Sequence, residues 1–121
     1  MIKDSNIIAD LTENFAVRIM NLYQYLLKVG LKEKLADQIL RSGTSIGANV
    51  AESIHAPSRK DFANKLNIAL KEADETKYWL SIFHRAKYLN ADEYESINND
   101  CLRIIGTLVK ILKTTKNKVV N

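Results

Sequence analysis

Proline, glycine and cysteine are scarce in this chain: one, four and one among 121 residues. A lone cysteine excludes a disulfide scaffold, and so few glycines exclude a collagen-like repeat. No apolar run approaches the roughly 18 to 20 residues of a membrane-spanning helix, so no membrane association is expected. Met1-Ile2-Lys3-Asp4 does not open a signal peptide, which makes the cytoplasm the expected compartment. Disorder is excluded from the other side, because 46% of the residues are hydrophobic. A chain of this length buries about two-thirds of its unfolded surface on folding, enough for one core and not two. A single domain spanning residues 1–121 is expected.

Few helix breakers and a wealth of Leu, Ile, Ala, Lys and Glu predict an all-α chain, and four segments show helical apolar spacing. Ile8, Leu11, Phe15, Ile19, Leu22, Leu26 and Val29 share one face of the first, and Gly30 supplies its stop. The second carries Leu35, Ile39, Ile46, Val50 and Ile54, with Gly43 in register, and ends before Pro57. Ser58 and Asp61 then form a capping pair for the third, whose stripe is Phe62, Leu66, Ala69, Ala73, Thr76, Leu80 and Phe83. After a turn at Asn90-Ala91, acidic Asp92, Glu93 and Glu95 open the fourth, with Tyr94, Ile97, Cys101, Ile104, Leu108 and Ile111 inward. Four such helices on short turns predict an antiparallel up-down four-helix bundle. Second apolar strips, Met20, Tyr23 and Leu27 on the first helix and Trp79, Ile82, Ala86 and Leu89 on the third, point to deep burial or to self-association.

The second helix is dense in small and polar residues. Gly43 and Gly47 each cost about 1 kcal/mol relative to alanine, which close approach of a neighbouring helix would offset. They are not a phosphate loop, which needs four residues between its glycines and then Lys-Ser/Thr. The polar side carries Arg41, Ser45, Asn49 and Glu52, and the third helix answers with Lys65, Glu72, Glu75 and Trp79. In an antiparallel pair turning at Ala56-Pro57, residues whose numbers sum to about 114 lie level. Arg41 is then expected near Glu72 and Glu75, and Asn49 and Glu52 near Lys65. This set is read as a structural or interface network. An adjacent arginine keeps Glu72 and Glu75 ionised and no second catalytic group joins them, so no catalytic residue is assigned and no enzyme is expected.

No metal site or cofactor is expected. His55 and His84 lack a second ligand at metal spacing; His55 is placed in a turn and His84 on a solvated face. Cys101 lies on an apolar stripe, the position of a buried small hydrophobe rather than a nucleophile. Trp79 is read as an interface anchor rather than a base-stacking platform.

The 18 basic residues outnumber the 14 acidic ones by four, and Lys110, Lys113, Lys116 and Lys118 stand in a C-terminal stretch without any acid. Residues 1–109 are therefore neutral overall. Those four lysines are the candidate nucleic-acid contacts, on a basic tail from about residue 110 to 121. Removing it is expected to abolish salt-sensitive binding and leave assembly intact.

The run Leu40-Arg41-Ser42-Gly43-Thr44-Ser45-Ile46-Gly47-Ala48-Asn49-Val50-Ala51-Glu52, followed by Ser58, Asp61-Phe62, Lys65-Leu66, Ile68-Ala69-Leu70-Lys71-Glu72-Ala73, Glu75-Thr76 and Tyr78-Trp79-Leu80, resembles the bacterial 23S rRNA intervening-sequence protein family. Phe15-Ala16-Val17-Arg18-Ile19 and Leu22-Tyr23 are similar to it as well. The resemblance implies an up-down four-helix bundle, a ring-like homo-oligomer of five copies, and no enzymatic activity. It brings members encoded inside insertions in large-subunit ribosomal RNA genes, and a relative, the accessory protein of diversity-generating retroelements, that binds nucleic acid and a reverse transcriptase. The expected function is thus a non-enzymatic, self-associating bundle that binds RNA or DNA. The alternative is a ring-shaped scaffold docking a partner protein.

Overall fold

The structure, a computed structural model, describes the backbone of residues 2–120 and the side chains of residues 6–115. Four helices build it: α1 (Ile2–Lys28), α2 (Glu33–Ile54), α3 (Arg59–Arg85) and α4 (Ala91–Val120). Each packs on the next, and α4 returns to α1 across the sparsest of the four contacts. With turns this short the result is the expected antiparallel up-down bundle.

Local chemistry ends the helices. Gly30 takes φ 98°, a left-handed conformation open to glycine, which turns the chain so that the Leu31 N–H donates to the Leu26 carbonyl at 2.9 Å. Ser58 caps α3: its Oγ accepts from the Asp61 N–H at 3.1 Å and donates to the Asp61 carboxylate at 2.9 Å. A second capping box opens α4, where Asn90 and Glu93 exchange backbone-to-side-chain bonds at 2.8 Å each. Its Asn-x-x-Glu signature stands in the sequence beside the acidic first turn. The end of α3 has no sequence signal, because Lys87 rather than a glycine adopts the left-handed conformation there, at φ 70°.

The core takes Phe15, Ile19 and Leu26 from α1, Ile39, Ile46 and Val50 from α2, Leu66, Leu80 and Phe83 from α3, and Ile104, Leu108 and Ile111 from α4. Each of these fully buried side chains contributes about 1.5 to 3 kcal/mol through burial. Three expected core positions face solvent instead. Val29 follows the last residue of α1, and Leu35 and Ile54 lie in the end turns of α2, where Ala36 and Ser53 point inward. A strict seven-residue stripe drifts around a straight helix, so its extrapolation fails first at the ends. The second apolar strips are largely used inside the bundle: Tyr23, Leu27, Trp79 and Ile82 pack against the core and Leu89 is buried, while Met20 and Ala86 are exposed. Strip width therefore carries little of the case for self-association.

The C-terminal lysines are part of a helix and not an appendage. Residues 110–120 continue α4, and Ile111 and Thr115 are both only 1% exposed. Truncation at residue 110 removes part of the core, so the expectation of an intact assembly after truncation is withdrawn.

Candidate functional site

Two features outside the core concentrate polar chemistry. The first is the seam between α2 and α3. Arg41 contacts the Glu72 carboxylate at 3.4 Å and makes a short ion pair with Glu75 through its other terminal nitrogen. Glu75 Oε2 also accepts from Trp79 Nε1 at 3.3 Å. Two to three turns further along the seam, Lys65 Nζ donates to Glu52 at 3.0 Å. Under these pairs the Thr76 and Ser42 hydroxyls share a buried hydrogen bond at 2.9 Å, and Thr76 lies 2.8 Å from the Glu72 carbonyl.

The level rule thus placed Arg41 against both glutamates and Glu52 against Lys65. Ser45 and Asn49 do not join across the seam. Ser45 Oγ donates to the Arg41 carbonyl at 2.6 Å and Asn49 Nδ2 to the Ser45 carbonyl at 2.8 Å, which keeps both on their own helix. Trp79 stacks on Phe83 with ring centres 5.7 Å apart and meets Tyr78 edge-on at 5.1 Å. Its ring is already engaged by protein.

Cys101 is fully buried, its Sγ 3.4 Å from the Ala73 carbonyl. Burial, with help from the Asp74 charge, pushes its thiol up to about 12, so it stays neutral and unreactive. His84 is half-buried, its ring stacked in parallel on Tyr94 at 4.4 Å. His55 is exposed in the α2–α3 turn. Among the described residues, no three His, Cys, Asp or Glu side chains gather where a metal ion could be held. No described helix is long and apolar enough to cross a membrane.

The second feature is the end of the bundle where α4 finishes. Lys110 and Lys113 are exposed there, while the side chains of Lys116 and Lys118 lie outside the described residues. Because α3 starts where α4 ends, the same end carries Arg59 and Lys60, both exposed. Sequence reading missed this pair because it lies fifty residues from the lysine run; the antiparallel topology alone brings the two together.

The seam and its motif residues fall within residues 4–110, the stretch that matches the profile described as 23S rRNA-intervening sequence protein. The chain belongs to the 23S rRNA intervening-sequence protein family. A crystal structure from the S23 ribosomal protein family, a protein with unknown function from Bacteroides thetaiotaomicron, is 52% identical and superposes with a TM-score of 0.88. The similarity covers 91% of this chain and 98% of that one. Among curated proteins none matches the chain. The family match stops at residue 110, so Lys113, Lys116 and Lys118 lie beyond it, whereas Arg59 and Lys60 lie inside it.

Proposed function

We propose that this protein is a non-enzymatic, self-associating helical bundle that binds the phosphate backbone of nucleic acid, RNA first, through the lysine-rich end of α4. One observation carries the reading. The whole charge surplus of +4 is matched by Lys110, Lys113, Lys116 and Lys118, which follow one another along the last turns of one helix at one end of the bundle. The family's tie to intervening sequences in 23S rRNA supports RNA as the ligand. An enzymatic role finds no support in the geometry, since Glu72 and Glu75 are tied to Arg41 and Cys101 is sealed in the core.

Self-association into a ring of five, which the family resemblance implies, would repeat the basic end around an axis and convert a weak contact into avidity. Exposed Val17, Met20 and Ile54, between 49% and 56% accessible, give it apolar surface to use.

The test is fluorescence anisotropy of the intact protein with a labelled RNA hairpin and a DNA duplex across a salt series. Affinity is expected to fall with salt at a log–log slope of about 0.7 to 0.9 per phosphate contacted, and replacement of all four lysines by glutamine to remove most of it. No binding to either probe at low salt overturns the reading. For assembly, light scattering at 13.7 kDa across concentrations would refute the ring.

A further inference from the structure

We infer that copies of this chain join through unlike faces, the α1–α2 side of one against the α3–α4 side of the next. This rests on the self-association proposed above and names the surfaces that carry it.

The two faces lie on opposite sides of the bundle, because each helix packs on the next and α4 returns to α1. Between α1 and α2 runs a groove of about 340 Å³, lined by small side chains such as Ala9, Ala16 and Ala51, with Met20 and Ile54 exposed at its margins. Two stripes at three- and four-residue spacing border it, Ala9 to Leu27 on α1 and Glu33 to Ile54 on α2. Their charged residues are Glu13, Glu33 and Asp37, with no lysine or arginine among them. The α3–α4 face is the converse. Tyr78 and Leu102 stand out from it, and Lys71, Lys77 and Arg85 outnumber Asp74 along α3, while the α4 stripe from Tyr94 to Val109 is uncharged. Among the described residues, Glu13, Lys71 and Lys77 enter no ion pair within their own chain.

The opposite charges also match in height. Contacts across the seams, Thr12 with Gly47, Tyr23 with Asp37, Ser42 with Thr76 and Cys101 with Ala73, fix the level of each helix against its neighbour. At equal rise per residue, Glu33 lies level with about residue 84 of α3, beside Arg85, and Asp37 with about residue 80, within one turn of Lys77. Glu13 lies level with about residue 70, beside Lys71. On the same reckoning Leu102 comes to the height of Ala16 in the groove, and Tyr78 to that of Met20. Rotation about an axis parallel to the helices keeps every copy at one height, so these groups meet without any slide. Pairing like faces would instead set Glu13, Glu33 and Asp37 against acids. A contact between unlike faces leaves one of each open at every step, and it closes into a ring when the turn per step completes a circle.

The test is light scattering of the intact chain across concentrations, with two pairs of charge reversals at exposed positions, Glu13→Lys/Asp37→Lys and Lys71→Glu/Lys77→Glu. Each pair sets like charges against each other and is expected to raise the concentration at which assemblies fall apart by about 100-fold. All four reversals in one chain should return the wild-type mass, since the two faces again carry opposite signs. Thermal midpoints followed by circular dichroism separate lost assembly from lost folding. If the wild type assembles and both pairs leave its mass unchanged, or if the fourfold variant folds but stays dissociated, this pairing of faces is overturned and self-association stands. If the wild type stays at 13.7 kDa at every concentration, self-association itself fails first.

Discussion

The two flanks of α2 solve the same packing problem with opposite chemistry. Toward α1 the helix offers Gly43 and Gly47. A Cβ added at Gly43 would stand 2.7 Å from Ile19 Cγ1, and one at Gly47 would stand 3.2 Å from the Thr12 carbonyl oxygen. The threonine hydroxyls on this flank bond back to their own helices, Thr12 to the Ile8 carbonyl at 2.8 Å and Thr44 to the Leu40 carbonyl at 2.7 Å. Toward α3 the helix offers Arg41, Ser42 and Glu52, and each finds a partner across the seam. Glycine contact fixes how near two helices come but says little about sliding along the axis. Paired charges and hydroxyls do the reverse, since a shift by one turn unpairs them. Distance is set on one side of α2 and register on the other.

The largest effect is expected where distance is set. Gly43→Val places two methyls against Ile19, which is fully buried and has nowhere to go, and should cost about 3 kcal/mol in urea denaturation. Ile19→Ala in the same chain opens the space, so the double variant should be more stable than the sum of the single losses. Additive losses would show that α1 does not pack on α2 as described.

Register should cost less to disturb. Thr76→Val leaves Ser42 Oγ with only a distant 3.5 Å contact to the Ile39 carbonyl, and a loss of about 1 to 2 kcal/mol is expected. Combining it with Ser42→Ala removes both polar partners, and most of the loss should return. A double variant as weak as Thr76→Val would mean that the pair adds net stability rather than specificity.

On the surface of the same seam, Arg41→Ala is expected to cost under about 1 kcal/mol and less at high salt, because the Arg41 side chain is 53% exposed. The variant tests register better than stability. If the charges align the two helices, hydrogen exchange along α3 should speed up near Glu72 and Glu75 while the unfolding midpoint barely moves.

Much of this contrast was legible in the residues. Apolar spacing alone implies four helices, and equal rise implies the pairing of Arg41 with Glu72 and Glu75. Spacing could not say that Asn49 turns back onto Ser45, since a short amide reaches its own helix as readily as its neighbour. Nor could it place Val29, Leu35 and Ile54 outside, because periodicity carries no information about where a helix leaves its neighbours. The α4 lysines were visible as composition. That Ile111 and Thr115 anchor them to the core, and that Arg59 and Lys60 share their end, needed the packing of α3 on α4.

The smallest effect concerns the polar contact on the glycine flank, where the Tyr23 hydroxyl donates to Asp37 at 3.1 Å near the α1–α2 turn. Desolvation of the phenol first, then the bond to Asp37 and the Asp37 and Glu33 charges, raise its ionisation above the usual 10.0. A group whose folded value lies above its unfolded one contributes stability below the unfolded value and loses it as pH rises through the folded one. The contribution of Tyr23 is therefore complete below about pH 10 and lost above it. Asp37→Asn should bring the phenol's ultraviolet titration toward the ordinary value, and at neutral pH it should leave the unfolding midpoint almost unchanged. A marked loss at neutral pH would show that this flank, too, depends on a polar lock, and the division between distance and register would fall.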